Sequence, residues 1–296
     1  MPNFSNSTLG VTGAAGPFGR TVVETLLARG AKRIVAITRS PDKLSDLADK
    51  GVTIRAGDFD DAASLDPAFE GVDRLLIVST DKLGIAGARR TQHLAAVDAA
   101  NRVGVRHILY TSIPTPYPSE RAQVADDHFW TEQAIIATGL TWTFLRNSLY
   151  MDLQANQVPQ IAASGQLTHA SGTGGRNIVS RLDCATTAAG ALLTAEGRSI
   201  HNVTGREVLS LSEIAAVIAQ ATGKPVAAVD IPSEALIASM VRHGLPESLA
   251  IALSAFDTDT ARGHFAVTSD AVAHFSGREP TTFAEFLAAQ PARAAA

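Results

Sequence analysis

The chain has 296 residues, 46% hydrophobic and 18% charged, which is enough apolar material for one large α/β domain or a nucleotide domain with a smaller companion. A formal charge of −4, with no run of Lys and Arg alternating with aromatics, excludes nucleic acid as the expected partner. The single cysteine, Cys184, excludes an internal disulfide and a cysteine-cluster metal site.

Eight histidines are scattered without a His-Glu-x-x-His, and no window reaches the roughly 18 apolar residues of a membrane span. The start, MPNFSNST, does not look like a signal peptide. A metal-free, membrane-free cytoplasmic protein is the expectation.

An apolar strand ends at Val11, and a glycine-rich turn follows, with Gly13, Ala15, Gly16, Pro17, Phe18 and Gly19 as its candidate ligand-binding residues. Pro17–Ala28 carries apolar residues at helical spacing, with Pro where a first turn tolerates it. Strand, glycine turn and helix predict a seat for a pyrophosphate, which would rest on bare main chain at the helix N-terminus. The spacing is Gly-x-x-Gly-x-x-Gly rather than Gly-x-Gly-x-x-Gly.

The second strand, Arg33–Thr38, ends at Arg39. An acid at this place would accept from a ribose 2′-hydroxyl, whereas Arg pairs with a 2′-phosphate, so Arg39, helped by Lys43, points to NADP(H) over NAD(H). A helix over 42–50 and a strand over 52–56 lead to Asp58 and Phe59, placed to meet an adenine amino group and ring; Asp also simply favours loops.

Another helix, 62–69, precedes the apolar strand 75–78, whose end, Ser79 and Thr80, is placed near the cofactor phosphates or nicotinamide ribose. A helix over 86–103 crosses to the strand 107–110, which closes in Thr111 and Ser112, also assigned to the cofactor. A proline-broken loop, a helix over 126–138 and a sixth strand over 141–145 follow. Strand and helix alternate throughout, which predicts an α/β fold with a doubly wound parallel, Rossmann-like sheet.

From Met151 the alternation stops. A hairpin of 166–170 with 177–179 is expected about the turn Gly172–Gly175, and Ser180 caps an Ala-rich helix running to about Ala195. Ser199–Val203 returns to the main sheet. Helices over 210–222 and 233–243 belong to a smaller mixed lobe. The division predicted is a cofactor domain over 1–150 with 180–203, and a substrate-side lobe over 151–179 and 204–290. The alanine-rich end, PARAAA, is expected to fray.

The catalytic options narrow by absence. A Tyr-x-x-x-Lys pair cannot be assembled, because Tyr110, Tyr117 and Tyr150 are followed four positions on by Pro114, Arg121 and Gln154. No Gly-x-Ser-x-Gly elbow is present. Hydride transfer to a conjugated, electron-poor acceptor remains, since its product anion is delocalised and needs only a modest proton donor.

The glycine turn, Arg39, Gly57-Asp58, the stretch His107–Ser112, His128-x-x-Thr131-Glu132, Phe144-Leu145-Arg146-Asn147-x-x-Tyr150 and Gly277-Arg278-Glu279-Pro280 together resemble the NmrA-like atypical short-chain dehydrogenases. Within that group the chain is similar to the branch of type 2 quinone oxidoreductases and triphenylmethane reductases. The resemblance implies NADP(H) held by the glycine turn, Arg39, Ser79, Thr80, Asn147 through Tyr150, and Arg181. It also implies that a small-molecule acceptor, a quinone or conjugated carbonyl, enters near His128, Asn147 and Tyr150, the candidate catalytic residues. Arg146 with Glu132 is read as a structural ion pair. An NADP(H)-sensing regulator without catalysis and an ene-type reductase of a specialised metabolite are the alternatives, and the sequence is compatible with a homodimer without fixing one.

Overall fold

The structure, a computed structural model, describes residues 4–290, so the alanine-rich end at 291–296 lies outside the described residues. Strand β1 (Thr8–Val11) leads through the glycine turn into α1 (Pro17–Ala28) and β2 (Arg33–Thr38). Where one helix was expected over 42–50, a 3-10 turn (Pro41–Leu44) and the single-turn α2 (Ser45–Ala48) stand instead. Only Leu44 and Leu47 turn inward there, and Gly51, at φ 86°, redirects the chain into β3 (Thr53–Ala56). A second 3-10 turn (Ala62–Ser64) and α3 (Leu65–Phe69) precede β4 (Arg74–Ile77). Then come α4 (Ala88–Arg102), β5 (His107–Ser112), α5 (Gln123–Ala137) and β6 (Thr141–Asn147).

Past this point lie β7 (Leu149–Tyr150), α6 (Met151–Ser164), β8 (Gln166–His169), β9 (Gly175–Val179), α7 (Arg181–Thr194) and β10 (Arg198–Val203). The main sheet has the order β10-β6-β5-β4-β1-β2-β3, and every pairing in it is parallel. β10 thus returns to the main sheet as expected, where it pairs with β6 at the edge. The chain continues through β11 (Val208–Ser210), α8 (Leu211–Thr222), β12 (Ala227–Asp230), α9 (Ser233–Arg242), α10 (Glu247–Ala261), α11 (Ala271–Ser276) and α12 (Phe283–Ala288).

The expected hairpin does not form. β8 pairs in parallel with β12, while β9 pairs with β7 and β11 in a different small sheet. The glycine turn between them is pinned to α10 instead of folding back. A Cβ on Gly174 would come within 2.5 Å of the Thr260 carbonyl oxygen, the Ser171 hydroxyl donates to Asp257 at 2.8 Å, and Arg176 pairs with the same carboxylate. Helix α6 escaped the sequence reading because Gln154, Asn156, Gln157 and an interior Pro159 dilute its apolar stripe.

Each face of the sheet has its own core. Helices α1, α7 and α11 cover one with Val22, Leu26, Ala188, Leu192 and Phe275. Helices α3, α4 and α5 cover the other with Phe69, Val97, Ala100 and Ile135 against Ile108, Tyr110 and Phe144. Cys184 is buried in the first of these, as a small helix residue. Ser180 caps α7 by accepting from the Asp183 N–H at 3.0 Å.

Candidate functional site

Strand β1 has β2 on one side and β4 on the other, so the strand order reverses at β1 and a crevice opens beyond the C-terminal strand ends there. Gly13 sits at φ 63°, a conformation that favours glycine. A Cβ on Gly19 would overlap the Gly13 carbonyl and stand 2.9 Å from the Ala14 Cα, so the turn and α1 can approach only because Gly19 lacks one. Gly16 is the N-cap of α1, and no side chain caps that end. The first N–H groups of a twelve-residue helix therefore face the crevice without an intrahelical or side-chain acceptor, which fits a pyrophosphate. Ala15 is half-buried and Pro17 exposed along this turn, while Phe18 is buried and serves the core beneath it.

At the tip of β2, Arg39 and Lys43 are both exposed. Arg20 on α1, braced by Glu24 one turn on, holds the segment after them through an ion pair to Asp46. Past β3, one oxygen of Asp58 accepts from the Asp60 N–H at 3.0 Å, and its own N–H donates to Ser64 at 2.9 Å. Asp58 thus both shapes its loop and keeps its second carboxylate oxygen available. Phe59 is half-buried against the sheet.

The segment leaving β4 is suspended by side chains. Val78 N–H donates to Thr12 Oγ1 at 2.9 Å, Ser79 N–H to Thr111 Oγ1 at 2.8 Å, and Thr80 N–H to His93 Nε2 at 3.0 Å. Ser79, Thr80 and Thr111 are thereby brought together. Ser112 is not: its neighbour in the strand faces the crevice, and its own hydroxyl points to the other face and donates to Glu132 at 2.6 Å. Glu132 also forms a two-pronged ion pair with Arg146 at 2.7 and 3.0 Å, the structural pair read from the sequence.

Asn147 ends β6 at 6% exposure and donates from Nδ2 to the Tyr150 hydroxyl at 3.2 Å. Its Oδ1 is buried without a hydrogen-bond partner. Tyr150 engages one of the two amide atoms, and the other stands unpaired in a place where buried polar atoms are ordinarily satisfied. Burial pushes the Tyr150 hydroxyl well above its ordinary pKa, so it stays protonated. Arg181 begins α7 with its N–H on Asp152 at 2.9 Å and its guanidinium 5.3 Å above the Tyr150 ring.

His128 does not start a helix and does not open onto the crevice. It lies inside α5, 5% exposed, with Nδ1 2.7 Å from the Tyr110 hydroxyl and Nε2 3.1 Å from Arg89. Both ring nitrogens are occupied, which leaves neither for a substrate. Burial, with Arg89 beside it, holds His128 well below the usual histidine range and keeps it neutral. The sequence reading missed the company it keeps: Arg89, His93, Tyr110, Asp127 and Thr131. A signal existed, since Arg89, Gln92, His93, Ala96, Val97 and Ala100 follow helical spacing and form the buried face of α4.

A small apolar cluster, which includes Leu149 beside Tyr150 in the chain, joins residues from the two halves of the chain. It contains Ile113, Val124 and Phe265, with Leu83, Leu149 and Phe256 packed on it. A separate recess of about 780 Å³ opens between the loops after β4 and β5 and α10, lined in part by Arg90, Asp127, Trp130 and Ile251. None of His128, Asn147 and Tyr150 lines it. Among the described residues no cluster of His, Cys, Asp and Glu could hold a metal ion, and no helix is long and apolar enough to cross a membrane.

The chain is similar over 94% of its length to quinone oxidoreductase 2 of Escherichia coli, at 32% identity and covering 96% of that protein. A crystal structure of NADPH-dependent quinone oxidoreductase from E. coli with NADPH superposes with a TM-score of 0.88 at 30% identity, covering 95% of this chain and 99% of that one. Triphenylmethane reductase from a Citrobacter species, complexed with NADP(H), gives a TM-score of 0.82 at 32% identity, with 95% and 99% covered. The model of the NmrA-like family matches residues 5–287, nearly the whole of the fold described above, and the chain belongs to that family.

Proposed function

We propose that this protein is an NADPH-dependent reductase that delivers hydride to a quinone or a similarly conjugated, electron-poor acceptor. The observation that carries the reading is the buried, unpartnered amide atom of Asn147 beside the Tyr150 hydroxyl, across the crevice from an uncapped glycine turn. The names of the E. coli and Citrobacter relatives, a quinone oxidoreductase and a triphenylmethane reductase, support a conjugated acceptor.

The bound nucleotide supplies the hydride; the chain supplies binding, orientation and a dry site. The N–H groups at the start of α1 hold the pyrophosphate, and Arg39 with Lys43 meets the 2′-phosphate. Ser79, Thr80, Thr111 and the free amide atom of Asn147 orient the nicotinamide half. Arg181 lies over the outer face of Tyr150. The Tyr150 oxygen accepts from Asn147, which turns its own hydrogen away from the amide and toward an incoming acceptor. With no lysine near it to lower its pKa, this hydroxyl is a weak donor. A weak donor suffices for the delocalised anion of a reduced quinone and fails a simple ketone. The cluster of Leu83, Ile113, Phe256 and Phe265 offers a flat apolar ring system a place from which water is excluded.

Purified protein is expected to oxidise NADPH with saturable dependence on members of a quinone panel. Tight NADPH binding with no turnover on any acceptor overturns the reductase reading and favours a cofactor-sensing role. Arg39→Glu should weaken NADPH at least about tenfold more than NADH, because a phosphate contact becomes a repulsion. Equal loss for the two would remove Arg39 from the 2′-phosphate. Tyr150→Phe should lower kcat by roughly 10- to 100-fold, and unchanged turnover would dismiss the hydroxyl as the donor.

A further inference from the structure

Thr80 leaves the sheet without a main-chain partner, yet both of its backbone polar groups are held by buried side chains of α4. Its N–H donates to His93 Nε2 at 3.0 Å, and its carbonyl accepts from Arg89. His93 is fully buried and Arg89 is 4% exposed. Two buried polar side chains thus converge on the two peptide units that flank one loop residue, and the burial of each is offset only while those hydrogen bonds hold.

The donors around His93 dictate its tautomer. Because Thr80 N–H points at Nε2, that nitrogen carries no hydrogen, and Nδ1–H is shared between Thr131 Oγ1 at 3.0 Å and the Tyr110 hydroxyl oxygen at 3.2 Å. Thr131 in turn donates to the Asp127 carbonyl at 2.6 Å. Arg89 is oriented just as firmly, with its Nε on Asp127 at 3.1 Å and another nitrogen donating to His128 Nε2 at 3.1 Å. His128 Nδ1–H then donates to the Tyr110 hydroxyl oxygen at 2.7 Å. Burial lowers the pKa of His93 to about 3, so the acceptor nitrogen stays bare across the physiological range.

We propose that His93 and Arg89 are positioning residues for the nicotinamide half of the bound cofactor, acting through the main chain of Thr80. The proposal rests on the reading above that the segment after β4 faces the cofactor. Neither side chain touches the ligand. They set the height and tilt of the main chain against which the nicotinamide ribose lies, while the adenosine half depends on other groups, the glycine turn and Arg39 first among them.

Two variants separate the contacts at the two ring nitrogens, Thr80 at Nε2 and Thr131 with Tyr110 at Nδ1. An Asn side chain places its amide where Nδ1 stands, so His93→Asn keeps a partner for Thr131 and cannot reach Thr80. A Gln side chain places its carbonyl oxygen where Nε2 stands, so His93→Gln keeps the Thr80 anchor. Titrations with NADPH and with adenosine 2′,5′-bisphosphate, the adenosine half by itself, then read the two ends of the site separately. For His93→Asn the expected result is roughly tenfold weaker NADPH binding with the bisphosphate within about twofold of wild type, and for His93→Gln, both within about threefold.

Equal weakening of both ligands by His93→Asn, or a Gln variant no better than Asn, overturns the proposal. Nitrogen NMR of the wild-type protein tests it without any variant: His93 Nε2 should read as the unprotonated nitrogen, and a protonated Nε2 overturns the proposal. Wild-type protein that binds neither ligand would instead strike the cofactor reading itself, and this inference with it.

Discussion

The two faces of the main sheet are packed by different physics. Beneath α1, α7 and α11 the core is dry above the buried Arg74 and His107 at the strand starts, and it is built from small residues: Ala185, Ala188, Ala189 and Gly190 let α7 lie close to both neighbours. Beneath α4 and α5 the core is wet in its upper half, where Arg89, His93, Asp127 and His128 are buried around Tyr110. The dry face holds the fold chiefly by contact, with Arg74 tying the end of α7 to β4, and the wet face holds the loops after β4 and β5 by hydrogen bonds. Contact is non-directional and tolerates small losses, whereas a buried hydrogen bond names its partner and penalises any loss.

The sharpest way to break the wet face is Arg89→Met. It leaves Asp127, 2% exposed, without its 3.1 Å partner, and removes the donor on the Thr80 carbonyl. Denaturant unfolding should show a loss of about 3–5 kcal/mol, with much of it recovered in Arg89→Met/Asp127→Leu, because the uncompensated charge is then gone as well. A loss unchanged in the double variant would show that the network stabilises by packing, as the dry face does.

The dry face should break by addition. A Cβ at Gly190 overlaps the Phe275 carbonyl oxygen, stands 2.7 Å from the carbonyl carbon and 2.9 Å from an Arg29 guanidinium nitrogen that donates to the same oxygen. Gly190→Ala should therefore cost about 1–3 kcal/mol despite the better helix propensity of alanine. A variant as stable as wild type would mean that α7 and α11 can separate freely.

The third test concerns acid. His93 on the wet face, and His107 at the start of β5, are held at a pKa of about 3 by burial and by Arg89 and Arg74 respectively, against 6.5 for an ordinary histidine. Their folded-state pKa is lowered, so the unfolded chain takes up protons that the folded one refuses as pH drops below 6.5. Stability is thus fully present above about pH 6.5 and declines as pH falls toward 3, at up to roughly 1.4 kcal/mol per pH unit for each histidine. Thermal unfolding followed against pH should show the decline, and His93→Gln should make it shallower. The same slope in the variant would assign the acid sensitivity elsewhere.

Much of the fold was legible from local pattern. The β-branched run at 33–38, the strand expected over 107–110, the proline at the first turn of α1 and the Ser180 cap each act within a few residues, and each stands where its sequence places it, the second running on to Ser112. Legibility failed where a distant group decided the outcome. Gly172–Gly175 has the composition of a hairpin turn, yet Asp257 and Thr260 on α10 take it over and send β8 and β9 to separate sheets. Ser112 looked like a cofactor residue, until Glu132 on α5 took its hydroxyl.

By itself the sequence determined the alternation of strands and helices, the glycine turn and the guanidinium at the tip of the second strand, because steric demand and charge at a chain position are properties of that position. Only the tertiary structure decided that His128 lies buried with both nitrogens engaged, that one Asn147 amide atom is left free, and that Thr80 hangs from His93 and Arg89. A hydrogen bond needs two groups brought within about 3 Å, and for residues far apart in the chain that meeting is made by the packing of the whole sheet.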